Sequence, residues 1–264
     1  MIPLLASSAG LTISFEPALD RRQPVPALRP EEDQVTQKPV SFNEIWEDIY
    51  RDGRQLNRYP FDQIVSFIYR NIPRDKPRSE IRILEVGCGA GNNLWFAARE
   101  GFQAAGLDGS TAAIEVARQR FEADGLQGDL RVGDFTSLPW NDESFDIAFD
   151  RGALTNCGLS MGKKAVREIH RVLKPGGKFY FNPYSVMHSS HVSGRPGPDG
   201  VTQEITAGGL EGMGAICFYT RRDVENALGE GWRVQSLVHV ERTDVLRPQY
   251  TVSAEWRVYC EKAA

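Results

Sequence analysis

Between residues 81 and 184 the chain alternates short apolar runs with longer stretches whose apolar positions return every three or four residues. The runs "IRILEV" (81–86), "QAAGLD" (103–108), "LRVGD" (130–134), "FDIAFD" (145–150) and "KFYFNPY" (178–184) have the composition of buried strands. Between them, "NNLWFAAREG" (92–101), "STAAIEVARQRFEADG" (110–125) and "GKKAVREIHRVLKPGG" (162–177) carry the helical period. Ser110 stands where an N-cap belongs, and Gly101 and Gly125 end their helices. Repeated β–α units with apolar strands predict an α/β fold, a parallel sheet covered by helices on both faces.

The flanks read differently. Residues 1–40 hold Pro3, Pro17, Pro24, Pro26, Pro30 and Pro39 with little periodicity, which predicts a loosely ordered leader. Order is expected from Ser41, where Ser41 and Glu44 have the spacing of a capping box and Ile45, Trp46, Ile49 and Tyr50 share a helical face. A second amphipathic helix, "YPFDQIVSFIYRNI" (59–72), completes a helical stretch over 41–80. Residues 185–215 are rich in glycine and lack a period, which predicts a structureless lid or insertion. Regular structure returns with a helix over 220–231 and two strands, "WRVQSLVHVER" and "YTVSAEWRVYCEK", joined by a short link as an antiparallel hairpin.

Composition narrows the function classes. Of 264 residues, 41% are hydrophobic and 25% charged, and the formal net charge is −4 with no basic run, which argues against a polynucleotide partner. No 18-residue apolar stretch occurs, so no membrane-spanning helix is expected. The opening "MIPLLASSAG" lacks a basic n-region and is broken at Pro3, so it is not read as a signal peptide. Cys88, Cys157, Cys217 and Cys260 form no C-x-x-C pair, which suggests reduced thiols, a cytoplasmic protein and neither zinc nor disulfides.

The candidate chemistry sits in "ILEVGCGAGNN" (83–93). Gly87, Gly89 and Gly91 follow a strand and open a helix, as a nucleotide-binding turn requires. Asp108 ends the next strand, where an acid takes ribose hydroxyls. NAD is the first ligand such a turn suggests, which makes an NAD-dependent oxidoreductase one reading. The G-x-G-x-G spacing lacks the third glycine at the dinucleotide position, and Glu85 would repel a pyrophosphate placed on the helix N-terminus. A ligand with an ammonium and a sulfonium would be attracted instead.

The segments "ILEVGCGAGNNLWFAAREG", "GLDGS", "GDFTSLPWNDESFDIAFDRGAL" and "EIHRVLKPGGKFYF" are similar, in order and spacing, to the class I S-adenosylmethionine-dependent methyltransferases. The resemblance spans roughly residues 81–184 and is nearest the small-molecule branch, the type 11 or UbiE-like domain. It implies a Rossmann-like, doubly wound, seven-stranded sheet, mostly parallel with one antiparallel strand near an edge, and an N-terminal helical cap over the cofactor. It implies that Glu85, Gly87 and Gly89 line the methionine portion, that Asp108 takes the ribose with Gly109 and Ser110 beside it, and that Asp134 and Phe135 meet the adenine. Asp150 and Arg151 would lie beneath the sulfonium and face the acceptor, and Tyr59, in "NRYPF", would touch cofactor or acceptor.

Methyl transfer from a sulfonium needs alignment and exclusion of water, with a base only where the acceptor must lose a proton early. The candidates for that base are Asp150, His188 and His191. The H-x-x-H spacing of the two histidines has no acidic neighbour and is not read as a metal site. His170 reads as a helix-face residue and His239 as structural. "NPYS" (182–185) follows strand five, whereas the N-P-P-Y motif of amino-methylating nucleic-acid enzymes follows strand four. The expected reaction is methylation of an oxygen or nitrogen of a small molecule, such as a sugar or secondary metabolite. A noncatalytic S-adenosylmethionine-binding protein is the further alternative.

Overall fold

The computed structural model describes residues 42–246 and 251–263; the Pro-rich leader and Ser41, with its expected capping role, lie outside the described residues. In chain order the strands are β1 (Arg82–Val86), β2 (Gln103–Asp108), β3 (Gly128–Val132), β4 (Phe145–Asp150), β5 (Leu173–Phe181), β6 (Arg195–Pro196), β7 (Val201–Gln203), β8 (Ile216–Cys217), β9 (Trp232–Asp244) and β10 (Thr251–Lys262). The helices are α1 (Ile45–Arg51), α2 (Asp62–Asn71), α3 (Asn92–Arg99), α4 (Thr111–Ala123), α5 (Leu159–Val172), α6 (Ser189–Val192) and α7 (Arg221–Leu228).

Seven strands form one sheet in the order β3-β2-β1-β4-β5-β10-β9. The pairs from β3 to β5 are parallel, and β10 runs antiparallel to both β5 and β9. This is the expected Rossmann-like sheet with one antiparallel strand. Its central strands are apolar on both faces because each face has its own core. Side chains alternate across a strand, so Leu84, Val86, Ala148, Phe179 and Phe181 enter one cluster while Ile83, Ile147, Phe149 and Tyr180 enter the other. Ser110 caps α4, its hydroxyl accepting from Ala113 N at 3.0 Å. Among the described residues no helix is long and apolar enough to cross a membrane.

Two expectations need correction. The helix expected over 162–177 is α5, which starts earlier and stops at Val172. Pro175 disfavours helical geometry at the residue before it; the chain already pairs with β4 at Leu173, passes through Gly176 at φ +76° and rejoins the ladder at Lys178. The second correction concerns residues 185–215, which are not structureless. They hold α6, β6 and β7, and with β8 just beyond them form a three-stranded antiparallel sheet. Ile205, Leu210, Ile216 and Phe218 give this insertion a core of its own. Strands of two or three residues are too short to show alternation in sequence.

At the amino ends of the strands, Asp146 is buried but compensated. It accepts from Lys76 Nζ and Lys174 Nζ at 2.8 Å each, and from Arg82 N at 3.0 Å. Burial alone would raise its pKa, yet these hydrogen bonds hold it below the usual range. Ile147, the next residue, is fully buried. Ile147→Ala is expected to lower the unfolding free energy by about 2–5 kcal/mol in urea titrations, and a loss under about 1 kcal/mol would mean that this layer relaxes around the cavity.

Candidate functional site

The sheet order reverses between β1 and β4, where one crossover runs toward β3 and the next toward β9. Such a switch point leaves a crevice at the carboxyl ends of the strands. Here it is a cavity of about 250 Å³ walled by the β1–α3 turn, the ends of β2 and β4, part of α1 and its approach, and the insertion. The turn takes its shape from its glycines. Gly89 sits at φ +51°, and a Cβ there would lie 2.3 Å from the Tyr50 hydroxyl. A Cβ on Gly109 would lie 2.3 Å from the Phe42 ring. Small residues at these two positions therefore let the aromatic side chains of the N-terminal segment close directly over the turn.

The roof is tied down on several sides. Trp46 Nε1 donates to Asn156 Oδ1 at 2.9 Å. Asn43 Nδ2 donates to the carbonyls of Met213 and Ala215, in the insertion, at 3.4 and 3.5 Å. Arg120 on α4 donates to the carbonyls of Leu56 and Asn57 at 2.9 and 2.6 Å, which fixes the link between α1 and α2.

Acids concentrate at the floor. Asp108 Oδ2 accepts from Gly89 N at 2.8 Å and Oδ1 from Ser110 N at 2.9 Å. Glu85, 2% exposed, accepts at Oε1 from Asn93 Nδ2 at 2.7 Å, and its buried Oε2 has no partner. Asp150 Oδ1 accepts from Ala153 N at 2.8 Å and Leu154 N at 3.0 Å, and its buried Oδ2 also has no partner. Burial pushes the Glu85 carboxyl well above its usual range, raises Asp108 and lifts Asp150 to about 6. Desolvated carboxylates with free oxygens stabilise an incoming cation. Among the described residues lining the cavity, Arg151 is the one cationic side chain, with its guanidinium carbon 3.7 Å from the centre of the Phe61 ring.

The structure gathers Glu85, Gly87, Gly89, Asp108, Gly109, Phe135 and Arg151 on the cavity wall. It places the other candidates elsewhere. Ser110 is buried behind the wall, its hydroxyl donating to Glu47 Oε2 at 2.6 Å. Asp150 is fully buried beneath the floor. Asp134 is exposed and folded into its own turn, accepting from Thr136 N at 2.7 Å. Tyr59 is 71% exposed and packs edge-on against Trp95; its carbonyl, not its ring, serves the site, accepting from Asn92 Nδ2 at 2.9 Å.

Both histidines turn away from the cavity. His188 is 3% exposed, burial pushes its pKa down to about 4, and its Nδ1 accepts from Ser190 N at 3.1 Å. That bond puts the proton of the neutral ring on Nε2, which leaves no free lone pair for a base. His191 Nδ1 pairs with Thr202 Oγ1 at 2.9 Å, and its ring lies against Phe218. Neither ring lines the cavity. The reading of the sequence missed Phe42, Asn93, Asn156 and Tyr184, which line the cavity. Asn93 had a signal, as a polar residue in the first turn of the helix after the glycine turn; the others are joined to the site only by the fold.

Residues 84–181 match the family model described as a methyltransferase domain. The chain is 30% identical to sarcosine/dimethylglycine N-methyltransferase of Aphanothece halophytica over 56% of its own length and 51% of that protein's. It is 28% identical to phthiotriol/phenolphthiotriol dimycocerosates methyltransferase of Mycobacterium tuberculosis over 68% of each. The first curated relatives are matched over about half of their length or less. A solved S-adenosylmethionine-dependent methyltransferase from Methanosarcina mazei shares the fold at TM-score 0.60 and 19% identity, covering 75% of this chain and 97% of that one.

The buried acid gives a pH signature. Because Asp150 is raised to about 6 in the fold from an ordinary 3.8, its contribution to stability is full below pH 3.8 and is lost as pH rises through 6. A shift of this size corresponds to about 2–3 kcal/mol. Without ligand, Asp150→Asn, which keeps an oxygen for Ala153 N and Leu154 N, is expected to flatten the fall in Tm between about pH 4 and 6.5. An unchanged slope would assign that fall to other groups.

Proposed function

We propose that this chain, whose residues 84–181 match the methyltransferase domain model, methylates an oxygen or nitrogen of a small molecule with S-adenosylmethionine as the methyl donor. One observation carries the reading: on the cavity wall at the switch point of the sheet, the buried Glu85 keeps Oε2 without a partner. That floor fits a cationic ligand and opposes a pyrophosphate. The residues present therefore fit the donor. When bound, S-adenosylmethionine supplies a methyl group on a sulfonium, already activated for in-line displacement.

The chain's own residues would do the rest. Glu85 offers Oε2 to the cationic amino-acid end of the donor, held in place by Asn93. Asp108 keeps one lone pair on each oxygen for a diol after accepting from Gly89 and Ser110. Phe135 presents an apolar surface to the base. Tyr50, Phe42 and Trp46 close the roof and exclude water, which strengthens every charge interaction inside. Neither His188 nor His191 is placed to remove a proton from the acceptor. The reading therefore calls for an acceptor atom with a free lone pair at neutral pH, such as an unprotonated amine or an anionic oxygen.

Calorimetry distinguishes this from the dehydrogenase reading. S-adenosylhomocysteine is expected to bind and NAD is not, and Glu85→Gln should weaken S-adenosylhomocysteine about 10-fold or more, the scale of one charge-assisted hydrogen bond. Binding of NAD without S-adenosylhomocysteine would sink the proposal.

A further inference from the structure

Resting on the methyltransferase reading, we propose that Arg151 and Tyr184 form a subsite for a carboxylate of the methyl acceptor, whose apolar body lies against Leu210, Met213 and Ile216. All of these residues line the cavity. Arg151 directly follows β4, at the mouth of the switch point. Among the described residues it has no carboxylate at ion-pair distance, and its buried Nε has no hydrogen-bond partner. A buried guanidinium donor without an acceptor is costly and rare in folded proteins. Phe61 lies against the guanidinium at 3.7 Å and orients its plane. An arginine held in this way offers a fork of donors matched to a planar carboxylate.

Tyr184 supplies a second donor at the same place. Its hydroxyl is 3.6 Å from where a Cβ on Gly152 would sit, which puts it beside the Arg151–Gly152 turn. Burial keeps the phenol protonated. The facing wall is apolar: Leu210 and Ile216 belong to the insertion's own core, with Met213 packed on it. One guanidinium and one phenol suit a single carboxylate better than a phosphate dianion, which calls for more donors. Of the acids nearby, Asp108 is held by Gly89 and Ser110, and Glu85 and Asp150 are each held through one oxygen, Glu85 by Asn93 and Asp150 by Ala153 and Leu154; the charge of Arg151 lowers the pKa of both Glu85 and Asp150 without an ion pair to either.

The test is calorimetry on the full chain with phenylacetate and octanoate against their primary amides, with and without saturating S-adenosylhomocysteine. At least one acid is expected to bind tenfold or more tightly than its amide. Arg151→Met should reduce that acid's affinity at least tenfold more than it reduces S-adenosylhomocysteine affinity, with partial recovery in Arg151→Lys. Tyr184→Phe, which removes only the hydroxyl, should weaken the acid severalfold. Acids that bind no better than amides to the unmodified chain overturn the proposal. Equal losses of acid and S-adenosylhomocysteine in Arg151→Met also overturn it, because they would assign the arginine to the donor's own carboxylate. Arg151-dependent acid binding without any S-adenosylhomocysteine binding would support the subsite and sink the methyltransferase reading.

Discussion

One side-chain amide connects the floor of the cleft to its roof. Asn93, at the start of α3, donates to Glu85 Oε1 at 2.7 Å and accepts from Phe61 N at 3.0 Å. The first bond orients a buried carboxylate that has few other partners. The second anchors the chain just before α2, which carries Phe61 against Arg151. Both charged walls of the cavity are thus positioned through the same residue. Because Asn93 is almost fully buried, each bond is made away from competing water, and losing either would leave a polar group unpaired.

The two ends of the sheet treat buried acids in opposite ways. At the amino ends, Asp146 has two ammonium partners and a backbone amide, and its pKa lies below the usual range. At the carboxyl ends, Glu85 and Asp150 each keep an unpartnered oxygen, and both pKa values lie above it. The first arrangement is complete within the chain and stabilises it. The second leaves desolvated carboxyls incompletely paired within the chain, so the fold bears a desolvation cost there. The contrast sets the two ends of the sheet apart independently of any motif.

Much of this was legible in the chain. The strands from β1 to β5 were marked by apolar runs and the glycine turn by its position between strand and helix. Glu85, Asp108 and Arg151 were legible because they stand at or within one residue of strand ends, and strand ends at a switch point face the crevice. The insertion was not, since β6, β7 and β8 are held by contacts with one another and show no period of their own. The placement of His188 and His191 off the cavity wall was not legible for a related reason. Their positions after β5 suggested the acceptor side, but the core around Phe218 and the backbone of α6 took up both rings.

The sequence by itself determined the alternation of strands and helices, the glycine turn at the carboxyl ends of the strands, and the acidic character of that end. Each is written in residues close together along the chain: a period, a cap, a glycine turn after a strand. Only the tertiary structure decided which side chains enter the cavity. Tyr50 closes on Gly89 and Phe42 on Gly109, Tyr184 meets Arg151, and the histidines turn away. Those choices depend on burial and hydrogen bonding between residues far apart in the chain, which no local pattern encodes.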